Sequence, residues 1–104
     1  MINIAGSARS TLTNMQEGDV QPNAVDLRLG KVFQINNQVF TIDETQKIHR
    51  GSEEVVLGED GYYTLPNGTY EVIMENEVNV GPAEAGFVIT RSTLNRNGCF
   101  LTSG

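Results

Sequence analysis

The chain has 104 residues, a length that fits one domain able to bury a core without disulfides or a structural metal. Apolar residues make up 38% and charged residues 19%, which excludes a disordered or fibrous chain. Seven Lys and Arg stand against 13 Asp and Glu, and the net charge of −6 argues against nucleic acid as a partner. The single cysteine, Cys99, excludes an intrachain disulfide, and no apolar run reaches the ~18 residues of a membrane span. We expect one cytoplasmic domain, residues 1–104, that binds no membrane.

The first 42 residues predict a loop followed by strands. Residues 1–20 are rich in Gly, Ser, Thr and Asn and predict a loop-rich segment with at most one helical turn. Residues 25–29 alternate apolar with charged side chains, the period of a strand with one solvated face. Residues 31–42 predict a β-hairpin that turns at Asn36 and Asn37, because Asn tolerates positive φ.

The remaining chain predicts short strands and one short helix. Turn residues separate apolar runs, and no run keeps a helical period for three turns. The predicted strands are 54–57, 62–65, 69–75, 78–80, 87–90 and 99–102. A helix is predicted at 92–97. The fold class is therefore all-β, a small sandwich or barrel.

Several side chains that could bind a metal or a base are explained more simply by their positions in the chain. His49 lies in a polar connection without Cys or carboxylates at metal-ligand spacing, so we expect it to be exposed and assign no metal site. Tyr62 and Tyr63 are expected to pack in a strand, although either ring has the shape to stack on a base. These residues do not define a site.

Two segments carry more specific information. Residues 21–30 read QPNAVDLRLG, and residues 91–98 read RSTLNRNG. The pair resembles the dCTP deaminase and dUTPase superfamily, in which a QPxSxDLRLG-like segment precedes an RSSLxRxG-like segment. The resemblance extends over residues 20–104 and implies a distorted jelly-roll, dUTPase-like β barrel. The eight-residue spacing from Arg91 to Gly98 favours the deaminase branch, including members that also release diphosphate.

Residues 91–98 also suit a phosphate on chemical grounds. A helical turn that directly follows a strand presents N–H groups without helical acceptors, and these favour an anion. Ser92 and Thr93 add hydroxyl donors, while Arg91 and Arg96 add positive charge. The alternative is that the two arginines are ordinary solvated surface.

The resemblance assigns roles to individual residues. The implied substrate-binding set is Arg91, Ser92, Thr93, Arg96 and Gly98. Ser92 and Arg96 are implied to lie at the triphosphate or at its approach, with Arg91 as a support near the strand of Asp26. From its position, Asp26 is either a solvated strand carboxylate or a structural acid paired with Arg91 or Arg28, and the motif favours the second alternative.

The family reaction requires a third segment, a hairpin that holds the base, and the general base is expected beyond Gly104. No catalytic residue is assigned within the chain, which we expect to be either a fragment or a shortened homologue. The resemblance implies a homotrimer that acts on dCTP or dUTP with Mg²⁺ bound through the triphosphate. The alternative is a non-catalytic nucleotide-binding, regulatory or structural trimer.

Overall fold

The computed structural model describes residues 8–102, so the predictions for residues 1–7 and 103–104 lie outside the described residues. The described residues form seven strands and one helix: β1 (Thr11–Leu12), β2 (Leu29–Ile35), β3 (Thr41–Ile42), β4 (Lys47–Ile48), β5 (Ser52–Val55), β6 (Tyr70–Met74), β7 (Val78–Asn79) and α1 (Ser92–Arg96). Nearly all regular structure is strand, which confirms the all-β class and is consistent with a dUTPase-like fold. The strands of the described residues do not close into a barrel.

The chain divides into two compact units. Of the described residues, 28–75 form one unit, and 8–27 together with 76–102 form the other. The prediction that residues 1–104 make a single domain stays a prediction. No helix in the described part of the chain is long and apolar enough to cross a membrane.

The unit of residues 28–75 is built on a three-stranded antiparallel sheet in the order β5-β2-β6. Val32 of the central strand lies opposite Val55 on one side and Val72 on the other, and only 1% of Val32 is exposed. Because directly opposite residues share a sheet face, the three valines form an apolar row across the sheet. Val32 is the buried centre of this row, whereas Val72 is 47% exposed.

The close approach of β6 to β2 explains the glycine at position 30. The β2–β6 register shifts between Leu29 and Lys31, which is a bulge at Gly30. A Cβ atom at this position would lie 2.8 Å from the carbonyl oxygen of Ile73, closer than real contacts allow. The sequence predicted that the strand 25–29 ends before this point, whereas β2 begins at Leu29 and continues through the glycine.

The predicted turn at Asn36 and Asn37 is wrong. β2 pairs with β5, the Asn36 N–H continues this pairing with the Gly51 carbonyl at 3.0 Å, and β3 pairs with β4. Residues 32–55 therefore form one long hairpin, whose turn lies at residues 43–46. Asn36 Oδ1 only accepts the Gln38 N–H, at 3.1 Å, which bends the chain without reversing it.

The reversal belongs to Asp43. Its carboxylate Oδ1 accepts the N–H groups of Thr45 at 2.7 Å and Gln46 at 2.8 Å, and its own N–H donates to the Gln46 carbonyl at 2.9 Å. The Thr45 hydroxyl also donates to Oδ1. The ionised side chain of Asp43 therefore accepts the hydrogen bonds that stabilise the turn joining β3 to β4. These hydrogen bonds, first that from the Thr45 N–H, lower the pKa of Asp43 from its ordinary value.

Predictions for the other strands were met unevenly. β6 and β7 confirm the predictions at 69–75 and 78–80, β5 overlaps that at 54–57, and α1 confirms the predicted helix. The predictions at 62–65, 87–90 and 99–102 are wrong, because these residues have no strand partner within residues 8–102. Apolar composition alone does not make a strand when no backbone lies alongside it to complete the ladder.

The N-terminal prediction is also corrected. Thr11 and Leu12 pair with β7 as β1, where a loop or one helical turn was expected. The Thr13 N–H extends this pairing to the Glu77 carbonyl at 3.0 Å. Short strands of this kind carry too few residues to show alternation in a sequence.

Candidate functional site

The helix α1 follows the extended residue Arg91, whose φ of −65° and ψ of 153° place it outside the helix. Its five residues are all exposed. The helix ends in a Schellman motif: the Gly98 N–H donates to the Asn95 carbonyl at 3.2 Å, and the Cys99 N–H donates to the Leu94 carbonyl at 2.9 Å. Gly98 has φ +81°, a backbone conformation that is strained for residues with a side chain, so the C-terminal end of α1 requires a glycine.

The start of α1 offers hydrogen-bond donors to solvent. The first helical bond is that of the Asn95 N–H to the Arg91 carbonyl, so the N–H groups of the preceding three residues have no acceptor within the helix. The side chain of Arg91 caps none of them, and the first turn holds no acidic residue. Together with the hydroxyl groups of Ser92 and Thr93, these donors suit an anionic ligand.

Arg96 lies on the same side of α1 as Ser92. The two residues are four apart, which places their side chains on neighbouring positions of one helix face. A ligand that contacts the Ser92 hydroxyl is therefore within reach of the positive charge of Arg96. The Thr93 carbonyl accepts a hydrogen bond from the Asn97 side-chain amide, at 2.8 Å.

Asp26 joins the second predicted segment to the first. Its Oδ2 lies 3.1 Å from Nη1 of Arg91 in a hydrogen-bonded ion pair. The Arg91 side chain is 73% exposed and that of Asp26 is 25% exposed. Arg91 is one of the two partners predicted for this carboxylate.

A short turn holds Asp26 in place. The Gln21 N–H donates to the Ala24 carbonyl at 2.8 Å, and Val20 and Val25 form an isolated antiparallel bridge. The Asp26 N–H then donates to the carbonyl of Asp19, also at 2.8 Å. The motif residues 21–26 are therefore a closed turn that presents a carboxylate, and the predicted strand at 25–29 is wrong at this point.

Sequence reasoning missed a polar cluster in the same unit. Oε1 of Glu84 accepts the Arg9 N–H and the Ser10 hydroxyl, both at 2.9 Å, and the Ser10 oxygen accepts the Gly81 N–H at 2.9 Å. Ala83 has φ +60° within this turn. The contacts join residues more than 70 positions apart, and no local pattern predicts such a pairing.

A separate open cavity lies within residues 28–75, with a volume of about 830 Å³. Arg50 lies over the ring of Phe40, 5.2 Å from its centroid, and the exposed His49 also lines the cavity. Tyr62 is exposed, and the Tyr63 hydroxyl donates to the Gly30 carbonyl at 3.4 Å. Neither tyrosine lies in a strand, so the prediction that they pack in one is wrong.

Comparisons with known proteins agree with the motifs. A family model described as dCTP deaminase-like matches residues 3–103. A probable deoxyuridine 5′-triphosphate nucleotidohydrolase of Aeropyrum pernix is 31% identical over 84 residues, 81% of this chain and 52% of the relative. The deoxyuridine 5′-triphosphate nucleotidohydrolase of Methanocaldococcus jannaschii is 29% identical over 105 residues, 99% of this chain and 67% of the relative.

A probable deoxyuridine 5′-triphosphate nucleotidohydrolase of Methanosarcina barkeri is 31% identical over 86 residues, 82% of this chain. The chain thus spans about half the length of the Aeropyrum and Methanosarcina relatives and about two thirds of the Methanocaldococcus one. No solved structure matches the chain.

Proposed function

The chain belongs to the dCTP deaminase-like family, and on that premise we propose that residues 91–98 bind the triphosphate of a pyrimidine deoxynucleotide. The observation that carries this proposal is the ion pair of Asp26 with Arg91 at 3.1 Å. It brings together the two segments whose sequences resemble the family's motifs. An arginine fixed in this way orients the start of α1.

Each motif residue has a role in the proposal. Ser92 and the N–H groups of the first helical turn donate to phosphate oxygens, and Arg96 supplies charge from the same helix face. Thr93 adds a hydroxyl donor. Gly98 allows the left-handed end that terminates α1 after one turn. Arg91 is a positioning residue held by Asp26.

Magnesium enters with the substrate. Phosphate oxygens are the hard ligands that Mg²⁺ prefers, so the proposal assigns the ion to the triphosphate. Among the described residues, no group of three or more His, Cys, Asp or Glu side chains lies close enough to hold a metal. No side chain of this chain is assigned to the ion.

Two reactions are consistent with this binding mode. In dUTP hydrolysis, water attacks the α-phosphorus and diphosphate leaves, and the names of the three relatives favour this reaction. In dCTP deamination, water adds to C4 of cytosine and ammonia leaves, which the family description and the motif spacing favour. Binding without either reaction is the non-catalytic alternative.

We also propose that three copies assemble in the cytoplasm, as the resemblance implies. Phe87 is 74% exposed and Ile89 is 81% exposed, next to the proposed phosphate segment. Large apolar side chains in one exposed run favour burial against another copy. Light scattering of the purified chain tests this assembly, and a stable monomer at micromolar concentration would contradict it.

Calorimetric titration of dUTP and dCTP with Mg²⁺ tests the binding site. Replacing Arg96 with Ala removes a charge-assisted phosphate contact, so affinity should fall by about 1.5–3 kcal/mol, roughly 10- to 150-fold. Arg50→Ala removes an arginine of the other unit and is the matched control, with unchanged affinity expected. Equal affinity of wild type and Arg96→Ala would remove Arg96 from the site.

Product assays separate the three functions. Release of diphosphate from dUTP identifies the hydrolase, and release of ammonia from dCTP identifies the deaminase. Binding of both nucleotides without either product, by the full reading frame as well as by residues 1–104, supports the non-catalytic alternative. Absence of binding would contradict the proposal itself.

A further inference from the structure

The chain contains two Asn-Gly pairs in different surroundings. Asn67 and Gly68 lie in the exposed turn before β6, while Asn97 and Gly98 end α1. An asparagine followed by glycine is chemically labile, because the glycine has no side chain to hinder its backbone nitrogen from approaching the asparagine side chain. Hydrogen bonding and backbone conformation then decide whether that approach occurs.

We propose that Asn67 is a site of spontaneous deamidation and that the fold protects Asn97 from the same reaction. The Gly68 nitrogen attacks Cγ of Asn67, forming an N–Cγ bond and a succinimide ring. The Cγ–Nδ2 bond breaks, and Nδ2 leaves as ammonia with the proton from the Gly68 nitrogen. Water then opens the ring at either carbonyl to give aspartate or isoaspartate, with no oxidation or reduction.

The reacting groups at Asn67 are available. Among the described residues, the Asn67 side-chain amide and the Gly68 N–H have no hydrogen-bond partner. Both residues are exposed, so water reaches the ring once it forms. The turn is anchored on either side instead: the Tyr70 hydroxyl donates to the Pro66 carbonyl, and the Ile35 N–H donates to the Thr69 carbonyl.

The same groups at Asn97 are occupied. Its Nδ2 donates to the Thr93 carbonyl at 2.8 Å, which directs the side chain back along the helix. The Gly98 N–H donates to the Asn95 carbonyl at 3.2 Å within the Schellman motif. Attack by the Gly98 nitrogen on Asn97 Cγ requires both hydrogen bonds to break. The two pairs therefore share a sequence and differ in protection.

Deamidation would change the charge beside the cavity of the 28–75 unit. Asn67 and Gly68 line that cavity together with Glu53 and Glu71. A new carboxylate adds to the two that are present and to a net charge of −6. The isoaspartate product also inserts a methylene into the backbone between Pro66 and Tyr70, which disturbs the turn that starts β6.

The structure provides a control substitution. A Cβ atom on Gly68 would lie 3.5 Å from Gln34 Nε2 and 3.6 Å from Tyr70 Cε2, both ordinary contacts, and Gly68 does not have positive φ. Gly68→Ala is therefore expected to fold, which a far-UV circular dichroism spectrum checks. Asn67→Gln is a second variant, because its longer side chain forms the corresponding ring far more slowly.

The full 104-residue chain is incubated in mildly alkaline buffer, and peptide mapping by mass spectrometry follows the amide at each position. We expect the folded chain to lose the Asn67 amide several times faster than the Asn97 amide. Gly68→Ala and Asn67→Gln should each suppress conversion at position 67 and leave Asn97 unchanged. In denaturant, Asn97 should react about as fast as Asn67. Equal loss at the two positions of the folded chain, or unchanged conversion in Gly68→Ala, would overturn the proposal.

Discussion

The two units of the chain are stabilised in different ways. Residues 28–75 are organised by a backbone ladder, in which β2 pairs along both edges and Val32 is buried between Val55 and Val72. In the other unit, β1 and β7 pair over only two residues each. Its long-range order comes largely from side chains that bind backbone groups, above all Glu84.

The contrast between the two units matters for function, because the second family motif lies in the unit with less β-sheet. The proposed phosphate segment, residues 91–98, belongs to the unit with little sheet, and α1 buries none of its residues. A segment held by a few polar contacts keeps its backbone N–H groups available to a ligand, whereas in a β-ladder those groups would be hydrogen-bonded to the neighbouring strand. Perturbing each type of contact separately tests this contrast.

The largest effect is expected at the centre of the ladder. Val32 is 1% exposed, so Val32→Ala leaves a cavity and should reduce the free energy of unfolding by about 2–4 kcal/mol. Val56→Ala is the matched control, because Val56 is 82% exposed and its loss should cost less than about 0.5 kcal/mol. Urea denaturation measures both variants. Similar losses in the two would show that Val32 is not the centre of the sheet's core.

A smaller loss is expected at Glu84. Glu84→Ala leaves the Arg9 N–H and the Ser10 hydroxyl without their acceptor and should cost about 1–3 kcal/mol in the same denaturation experiment. Glu84→Gln retains an oxygen acceptor and should lose less. If the alanine variant is as stable as wild type, side-chain contacts do not hold this unit together.

The ion pair of Asp26 with Arg91 should contribute little to stability. Because the arginine is 73% exposed, Asp26→Asn should change the free energy of unfolding by less than about 1 kcal/mol. Its expected effect is on the orientation of α1, and therefore on nucleotide affinity. A loss of stability as large as that of Val32→Ala would make the pair a structural element of the fold.

The smallest effect is local and depends on pH. Hydrogen bonds from the Thr45 and Gln46 N–H groups lower the pKa of Asp43 from 3.8, so the folded chain favours its ionised form. Its contribution to the hairpin turn is therefore complete above the ordinary pKa and is lost as pH falls through the lowered one. NMR titration of the Thr45 and Gln46 amides should show a midpoint below 3.8, and Asp43→Asn should abolish the transition. A midpoint at or above 3.8 would contradict these hydrogen bonds.

Much of the fold follows from local pattern where a strand pairs in a ladder. Residues 69–75 alternate and form β6, and the helix predicted at 92–97 is present as Ser92–Arg96. The hairpin was misplaced because Asn36 and Asp43 both have turn chemistry, and only the structure shows which one reverses the chain. Residues 87–90 have strand composition, but pairing depends on a partner that composition does not specify.

The candidate site was predicted only in part, because motifs are visible in the sequence and long-range contacts are not. The proximity of Asp26 and Arg91 followed from motif resemblance, and their 3.1 Å contact agrees with it. Glu84 was not predicted, because its partners Arg9 and Ser10 are distant in sequence and an isolated glutamate in a turn carries no pattern. Long-range contacts between a side chain and the backbone are a property of the fold.

The start of α1 is proposed to contact the triphosphate, and amide chemical shifts measure this contact directly. The ¹⁵N-labelled chain is titrated with dUTP and with dCTP in the presence of Mg²⁺. We predict that the amide signals of Ser92, Thr93 and Leu94 move the most and that those of Val32 and Phe33 in β2 stay in place. Saturable shifts confined to residues 28–75, with α1 unaffected, would contradict the account.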